Sequence, residues 1–415
     1  MTRRPIIGVG AVVLAVTVVL AVLTLGAGGS RPTGSGAPGT SGAVSGEQAG
    51  PIGGPATPGA TVVPAPGHEL FGFVPYWEMD GGIAAHLAQT PLTTLCLFSV
   101  TNKRDGTIDT SQQGYKKIAG TLGKQMIREA HGRHVAVQLT FTSFGDARNQ
   151  RLFGPNTTAI QDTVIASLVK MTGDIGVDGV SVDVERLDPT LVPAYGDFVG
   201  RLRVALRKAV PKGQVSVSTS ADQTGAAMAA AANEAGADRI FLMGYDYHYG
   251  QSGVGASAPI ARRDGQQQDL PWSLDLYASM GVPVEKTILG LPLYGMRWRV
   301  AGPEIGADRL GDGAIWVPAD NPKFLASPPA PPQFDPLEVV EFYAVAPTVS
   351  PVPGDSRATA GWQAIYVDSP RTLTPKMALA DQRGLAGAGF WAIGYERGLD
   401  GYQQMMHDFV DGKLQ

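Results

Sequence analysis

The chain has 415 residues and a formal net charge of −4. That length is too great for one small domain and suits one large α/β barrel with appendages. The slightly acidic balance excludes the basic footprint of a nucleic-acid binder, and a hydrophobic content of 44% provides for a sizeable core.

In chain order, Arg3 and Arg4 come first and precede an uncharged run over 5–27. As a helix that run spans roughly 34 Å, enough for a hydrocarbon core of ~30 Å. The two arginines favour an N-terminus kept inside the cell. The segment reads as a single-pass anchor or as a cleaved signal peptide, and both export the rest of the chain. No cysteine lies near it to take a lipid. From 28 to 67, 33 of 40 residues are Gly, Pro, Ser, Thr or Ala, too little apolar surface to offset the entropy of ordering. This stretch is expected to be a disordered linker. The expected location is the extracellular face of the cell membrane or the surrounding medium. Cys96, the single cysteine, sits in the apolar run LTTLCLFSV and is expected to be a buried, inert thiol.

From 68 onward strands alternate with helices. Eight strand-like runs stand out: 70–77, 92–100, 134–141, 176–185, 214–220, 239–247, 286–295 and 384–394. The clearest helix covers 190–210, where Leu191, Tyr195, Phe198, Leu202 and Leu206 recur at helical spacing, with Asp188 as N-cap and Pro189 at the first helical position. Eight such units predict an α/β fold, a (β/α)8 TIM barrel over 68–415. About 90 residues separate the seventh and eighth runs and contain the helix breakers SPPAPPQFDP and TVSPVPGD. They predict a small inserted subdomain between strands 7 and 8, at about 298–365. Trp298, Trp316 and Trp362 there read equally as subsite walls or as the insertion's own core.

The fourth run, GVDGVSVDVE, carries the chemistry. Residues two apart on a strand share a face. Val180, Val182 and Val184 therefore face the helices, and Ser181, Asp183 and Glu185 face into the barrel. An inward carboxylate is costly unless paired or used. Glu185 ends its strand, which in a barrel is the catalytic face. Two carboxylates spaced ~6–7 Å along one face can divide roles, one staying ionised and the other raised in pKa to act as an acid. Other strand ends carry polar aromatics: Tyr76 and Trp77 on the first, Met243, Tyr245 and Asp246 on the sixth, Tyr294 on the seventh, Trp391 on the eighth. A rim of aromatics with carboxylates suits a sugar, offering flat faces for C–H surfaces and acceptors for hydroxyls. His248, beside the sixth strand, reads as a rim residue or a substrate contact.

At these residues the sequence resembles glycoside hydrolase family 18, the chitinase-like barrels. The family's strand-four pattern D-G-x-D-x-D-x-E is matched by Asp178, Gly179, Asp183 and Glu185. M-x-Y-D on strand six is matched by Met243, Tyr245 and Asp246. GLPLYG at 290–295 and GLAGAGFWAIGYE at 384–396 are similar to strands seven and eight, and WQAIYVD at 362–368 is similar to the stretch before the latter. The resemblance implies a glycosidase that cleaves β-1,4 linkages next to N-acetylated amino sugars and keeps the anomeric configuration. Glu185 would protonate the glycosidic oxygen, and the substrate's own acetamide would attack C1, so the usual second protein carboxylate is not the nucleophile. Asp183 would orient the acetamide and Tyr245 would bond its oxygen. Trp391 would stack beneath the sugar, with Tyr76, Trp77, Asp246, Met243, Tyr294 and Ser181 around the substrate. No metal and no organic cofactor is implied. The expected partner is a glycan containing N-acetylglucosamine, such as peptidoglycan or chitin, and the expected state is a monomer touching membrane only through its N-terminal segment.

Two departures stand out. Ser181 occupies the position of the pattern's first acid. It can offer a hydrogen bond to Asp183 but cannot act as an acid, and this tilts the likeness toward the spore-cortex and wall-lytic branch. TFTSFGD after the third strand lacks the family's S-x-G-G. The rival reading is a non-catalytic chitinase-like carbohydrate-binding protein. Such relatives usually lose the acid, and this chain keeps Glu185.

Overall fold

A computed structural model describes residues 67–347 and 361–414. The expected anchor, the expected linker as far as residue 66, and the TVSPVPGD breaker lie outside the described residues. Among the described residues no helix is long and apolar enough to cross a membrane.

Seven strands run in chain order: β1 (Glu69–Pro75), β2 (Thr94–Val100), β3 (Ala136–Phe144), β4 (Gly179–Glu185), β5 (Gln214–Ser220), β6 (Arg239–Met243) and β7 (Thr287–Pro292). Five more come next, β8 (Gly295–Val300), β9 (Ala314–Trp316), β10 (Gln333–Asp335), β11 (Val340–Val345) and β12 (Trp362–Val367), and then β13 (Gly387–Trp391). Strands β1–β7 and β13 close an all-parallel barrel in the order β1-β13-β7-β6-β5-β4-β3-β2. With helices on the outside this is the expected (β/α)8 barrel.

The valines of β4 explain the outer layer. Val180, Val182 and Val184 are buried against the surrounding helices, among them Thr158–Ile175 and Val192–Ala209. The second of these turns its Tyr195, Phe198, Leu202 and Leu206 stripe inward, as the spacing predicts. Its lead-in is a short 3-10 turn, Pro189–Leu191, capped by the Asp188 carboxylate accepting from Thr190 N at 2.9 Å.

The barrel lumen divides by polarity. Phe71, Phe73, Cys96, Phe98, Phe241 and Ile288 form one buried apolar cluster. Opposite them, β3, β4 and β5 contribute Gln138, Thr140, Ser181, Asp183, Ser216 and Ser218, all buried. Cys96 is a free buried thiol whose pKa burial pushes up, as expected of an inert one. Asp178, which opens the β4 pattern, lies at the other end of the strand, where it accepts from Val137 N at 2.7 Å and contacts His131 at 2.8 Å. Its job is to seat β4 beside β3.

Between β7 and β13 the insertion folds as a five-stranded antiparallel sheet in the order β10-β11-β12-β8-β9. Its two faces bury different residues, as a period of two requires. Met296, Trp298, Phe342 and Tyr366 join the main core, while Trp316, Tyr343, Ile365 and Val367 form a separate small cluster with Phe324 and Leu325. Trp298 (1% exposed) and Trp316 (4%) are thus core residues of the insertion rather than subsite walls. Trp362 is half-buried on the main core.

His248 is neither a rim residue nor open to substrate. It is fully buried, its Nδ1 2.9 Å from Gly253 O and its Nε2 3.5 Å from the buried Glu338 carboxylate. Glu338 also accepts from Ala256 N at 2.6 Å and Arg263 N at 3.0 Å. The pair fastens the long β6 loop to the insertion. Sequence position alone suggested the rim because His248 lies two residues after Asp246, but the chain turns inward between them.

Candidate active site

The site forms where β4 ends. Ser181, Asp183 and Glu185 all face the lumen. In register, Asp183 lies between Thr142 of β3 and Ser218 of β5. Asp183 is buried, whereas Glu185 stands half-buried at the mouth. Burial raises the Asp183 pKa well above the usual carboxylate range, and the neighbouring Glu185 charge adds to it. Glu185 is pushed up to about 7, first by burial and then by the Asp246 carboxylate, with Arg186 pulling the other way. A carboxyl that still holds a proton near neutral pH can deliver it to a leaving group.

Ser181 does not serve Asp183 as expected. Neither Ser181 Oγ nor Asp183 Oδ1 has a hydrogen-bond partner among the described residues.

The β6 strand stops earlier than its apolar pattern suggests, at Met243. Gly244 comes next because a Cβ there would meet Gly290 O and a Leu270 methyl, each at 2.7 Å. Asp246 then takes a left-handed conformation, φ 61°. This bend lifts Tyr245 and Asp246 off the sheet and over the lumen. Asp183, Asp246 and Glu185 all raise the phenol of the half-buried Tyr245, in that order after desolvation itself. Residues 183, 185, 245 and 246 therefore share one electrostatic field. Tyr294, just beyond β7, donates to Asp246, and Asp246 N donates to Ser257 Oγ at 3.1 Å. Desolvation of its carboxyl nonetheless keeps Asp246 raised, with the side-chain hydroxyls of Tyr294 and Ser257 opposing. Ser257 had no sequence signal: it lies far along the β6 loop in a run of small residues.

The aromatics converge as expected. Trp391 ends β13 with its ring centroid 4.6 Å from Phe98, 6.1 Å from Phe73 and 6.2 Å from Trp77. Tyr76 lies 5.0 Å from Trp77. Trp77 is 48% exposed and anchored by its Nε1 donating to Tyr395 Oη at 3.1 Å, so it offers a face to solvent beside Trp391. Met243 packs with Tyr245 and Trp391 against the lumen cluster. Tyr294 is buried, its ring 6.2 Å from Tyr245, and stands behind Asp246 rather than on the open surface. Among the described residues no group of His, Cys, Asp and Glu is arranged to hold a metal ion.

Comparison with known proteins agrees with this fold. Mouse chitotriosidase-1 is 24% identical over 267 residues, 57% of this chain and 53% of that protein, so the chain spans about half the length of that relative. The spore cortex-lytic enzyme SleL of Bacillus cereus superposes with a TM-score of 0.64 at 17% identity, covering 85% of this chain and 75% of that one. A chitinase from Cycas revoluta, solved with (GlcNAc)3, gives 0.68 at 17% identity over 84% and 100%. At such identities the structures speak for the fold. The sequence pattern of the glycosyl hydrolases family 18 matches residues 69–396, and the chain belongs to that family.

Proposed function

We propose that the protein is a retaining glycosidase that cleaves β-1,4 linkages beside N-acetylated amino sugars, with a cell-wall glycan of the peptidoglycan or chitin type as substrate. The observation that carries this reading is Glu185: a carboxyl at the mouth of β4 with its pKa pushed up to about 7, two residues above a buried Asp183.

The chemistry follows from that arrangement. Glu185 gives its proton to the glycosidic oxygen as the bond to C1 breaks. The acetamide oxygen of the same sugar closes on C1, forming an oxazolinium ion. Asp183, beneath it, accepts from the acetamide N–H and so orients the group for its attack on C1. Tyr245, un-ionised because its phenol is pushed up, donates to the acetamide oxygen. Glu185, now a carboxylate, takes a proton from the water that opens the ring, and two displacements at C1 leave its configuration unchanged. Trp391 supports the sugar ring, and Trp77 extends the platform outward. The uncharged 5–27 run and the Gly- and Pro-rich stretch after it would hold the barrel outside the membrane, within reach of the wall.

Ser181 in place of the first acid favours one rival, a carbohydrate-binding protein without turnover. Wild type and Glu185→Gln on purified peptidoglycan, chitin oligomers and a high-mannose glycopeptide separate the two. Cleavage of one of these by wild type, lost in the variant, supports the enzyme. Binding without cleavage, equal in both, supports the rival.

A further inference from the structure

Among the described residues no hydrogen-bond donor reaches the Glu185 carboxylate, so its main chain has to aim it. On the β5 side that main chain is free, because β4–β5 pairing stops at Asp183. On the β3 side the ladder reaches its last pair at Phe144 and Glu185, and just beyond it one side chain takes hold. Asn149, fully buried on the helix Asp146–Phe153, donates through Nδ2 to Glu185 O at 2.7 Å and to Arg186 O at 3.2 Å. Gly145 N adds a third bond, to Glu185 O at 3.2 Å. The amide cannot turn over. Its Oδ1 accepts from the buried Ser143 Oγ at 2.8 Å, and reversal would set that oxygen against two carbonyl oxygens.

The two captured carbonyls flank Arg186, whose φ is 57°. A non-glycine residue keeps that conformation only where its surroundings over-determine it. Here those surroundings are the end of the β3 ladder before Arg186 and the Asn149 amide on its own carbonyl; the Arg186 side chain adds little, being 40% exposed with an ion pair to Asp146 at a loose 3.8 Å. A different backbone at Arg186 would rotate the 185–186 peptide and swing the Glu185 carboxyl at the mouth.

We propose that Asn149, oriented by Ser143, is a positioning residue that holds Glu185 in its proton-donating pose by clamping the carbonyls on either side of Arg186. The activity arm of the test rests on the glycosidase reading above; the structural arm does not.

Asn149→Asp keeps the shape and removes the donor. It is assayed in the full chain on chitotetraose and on an activated aryl glycoside of N,N′-diacetylchitobiose, whose good leaving group needs little help from an acid. The expected result is a loss in kcat of about 100-fold on chitotetraose, the size expected for a misplacement of about 1 Å, with KM little changed and a loss at least about tenfold smaller on the aryl glycoside. Ser143→Ala, a milder change, should show the same bias, and serves if Asn149→Asp does not fold. Equal losses on the two substrates, or a loss carried by KM, would overturn the proposal. A crystal structure of the variant gives the independent readout. Arg186 should leave positive φ, and a 185–187 backbone unmoved within about 0.5 Å would end the clamp. Should wild type cleave neither substrate, the glycosidase reading fails while that structural result still decides the clamp.

Discussion

Removing the acid at Glu185 should stabilise the protein while it abolishes turnover, and the stabilisation should depend on pH. In the unfolded chain the carboxyl ionises at its ordinary value of 4.5; in the fold it holds its proton up to about 7. Between those values the folded state binds more protons than the unfolded one, so stability falls as pH rises through the window. Below 4.5 both states are protonated and the group costs nothing by this route. Above 7 the fold carries the whole cost of a desolvated carboxylate beside Asp246. At about 1.4 kcal/mol per unit the ceiling is about 3 kcal/mol, and partial exposure of Glu185 at the mouth reduces it to about 1–2 kcal/mol. Glu185→Gln has no charge to lose. Urea unfolding followed by circular dichroism should give nearly equal stabilities at about pH 4.5, and the variant more stable by about 1–2 kcal/mol at about pH 8. Asp183 strengthens the contrast, because the Glu185 charge is part of what raises it. Equal differences at the two pH values, or a variant less stable at the higher one, would show that burial does not hold a proton on Glu185, and the acid role would lose its physical basis.

Other consequences come from the same packing. The wild-type rate should fall on the alkaline side with an apparent pKa near 7, as Glu185 loses its proton; a rate still level through about pH 9 would contradict that. Ser181→Ala should leave kcat within about threefold, because Ser181 Oγ makes no bond to Asp183, and a drop of a hundredfold in steady-state assays would show a contact forming on substrate binding. Trp391→Ala should raise KM for chitin oligomers more than it lowers kcat, and should cost about 2–3 kcal/mol in unfolding, less than a fully buried tryptophan because one face is open. Away from the site, Lys376 is fully buried with its Nζ 2.5 Å from Asp368, so Asp368→Asn should cost about 3–5 kcal/mol by leaving a buried cation unpaired, measurable as a lower denaturation midpoint. Pairing it with Lys376→Met should recover most of that loss.

What the sequence made legible was whatever repeats along a strand or helix. The alternation in GVSVDVE placed three polar side chains in the lumen and three valines under helices, and the barrel obeys it. The stripe from Leu191 to Leu206 faces inward as spaced. Periodicity fails where function bends the chain off its lattice. The sixth run looks like strand to Tyr247, yet it stops at Met243, because Gly244 and a left-handed Asp246 are needed to swing Tyr245 over the lumen. His248, two residues on, is carried into the core by that same bend. Asn149 and Ser257 were illegible for a different reason. Each acts through a main-chain atom of another segment, Asn149 on the carbonyls after β4 and Ser257 on the amide of Asp246. A contact to backbone asks for no particular residue type at the other end, so no pattern marks it.

The lumen also shows why one missing acid need not empty the site of its chemistry. A second buried aspartate beside Asp183 would have to share a proton with it or be desolvated as an anion. With Ser181 in that place, Asp183 faces only hydroxyls at its own level, Thr142 and Ser218 in register on either side, and the carboxyl that answers to its charge is Glu185 above it. The Glu185 charge helps to raise Asp183, while Glu185 itself keeps its proton near neutral pH through burial and the Asp246 carboxylate. Ser181→Asp tests the point: a third carboxyl in the lumen should lower the unfolding midpoint at about pH 8 more than at about pH 5, because only at the higher pH must the added charge be buried. An equal loss at both values would mean that size, not charge, decides what this position accepts.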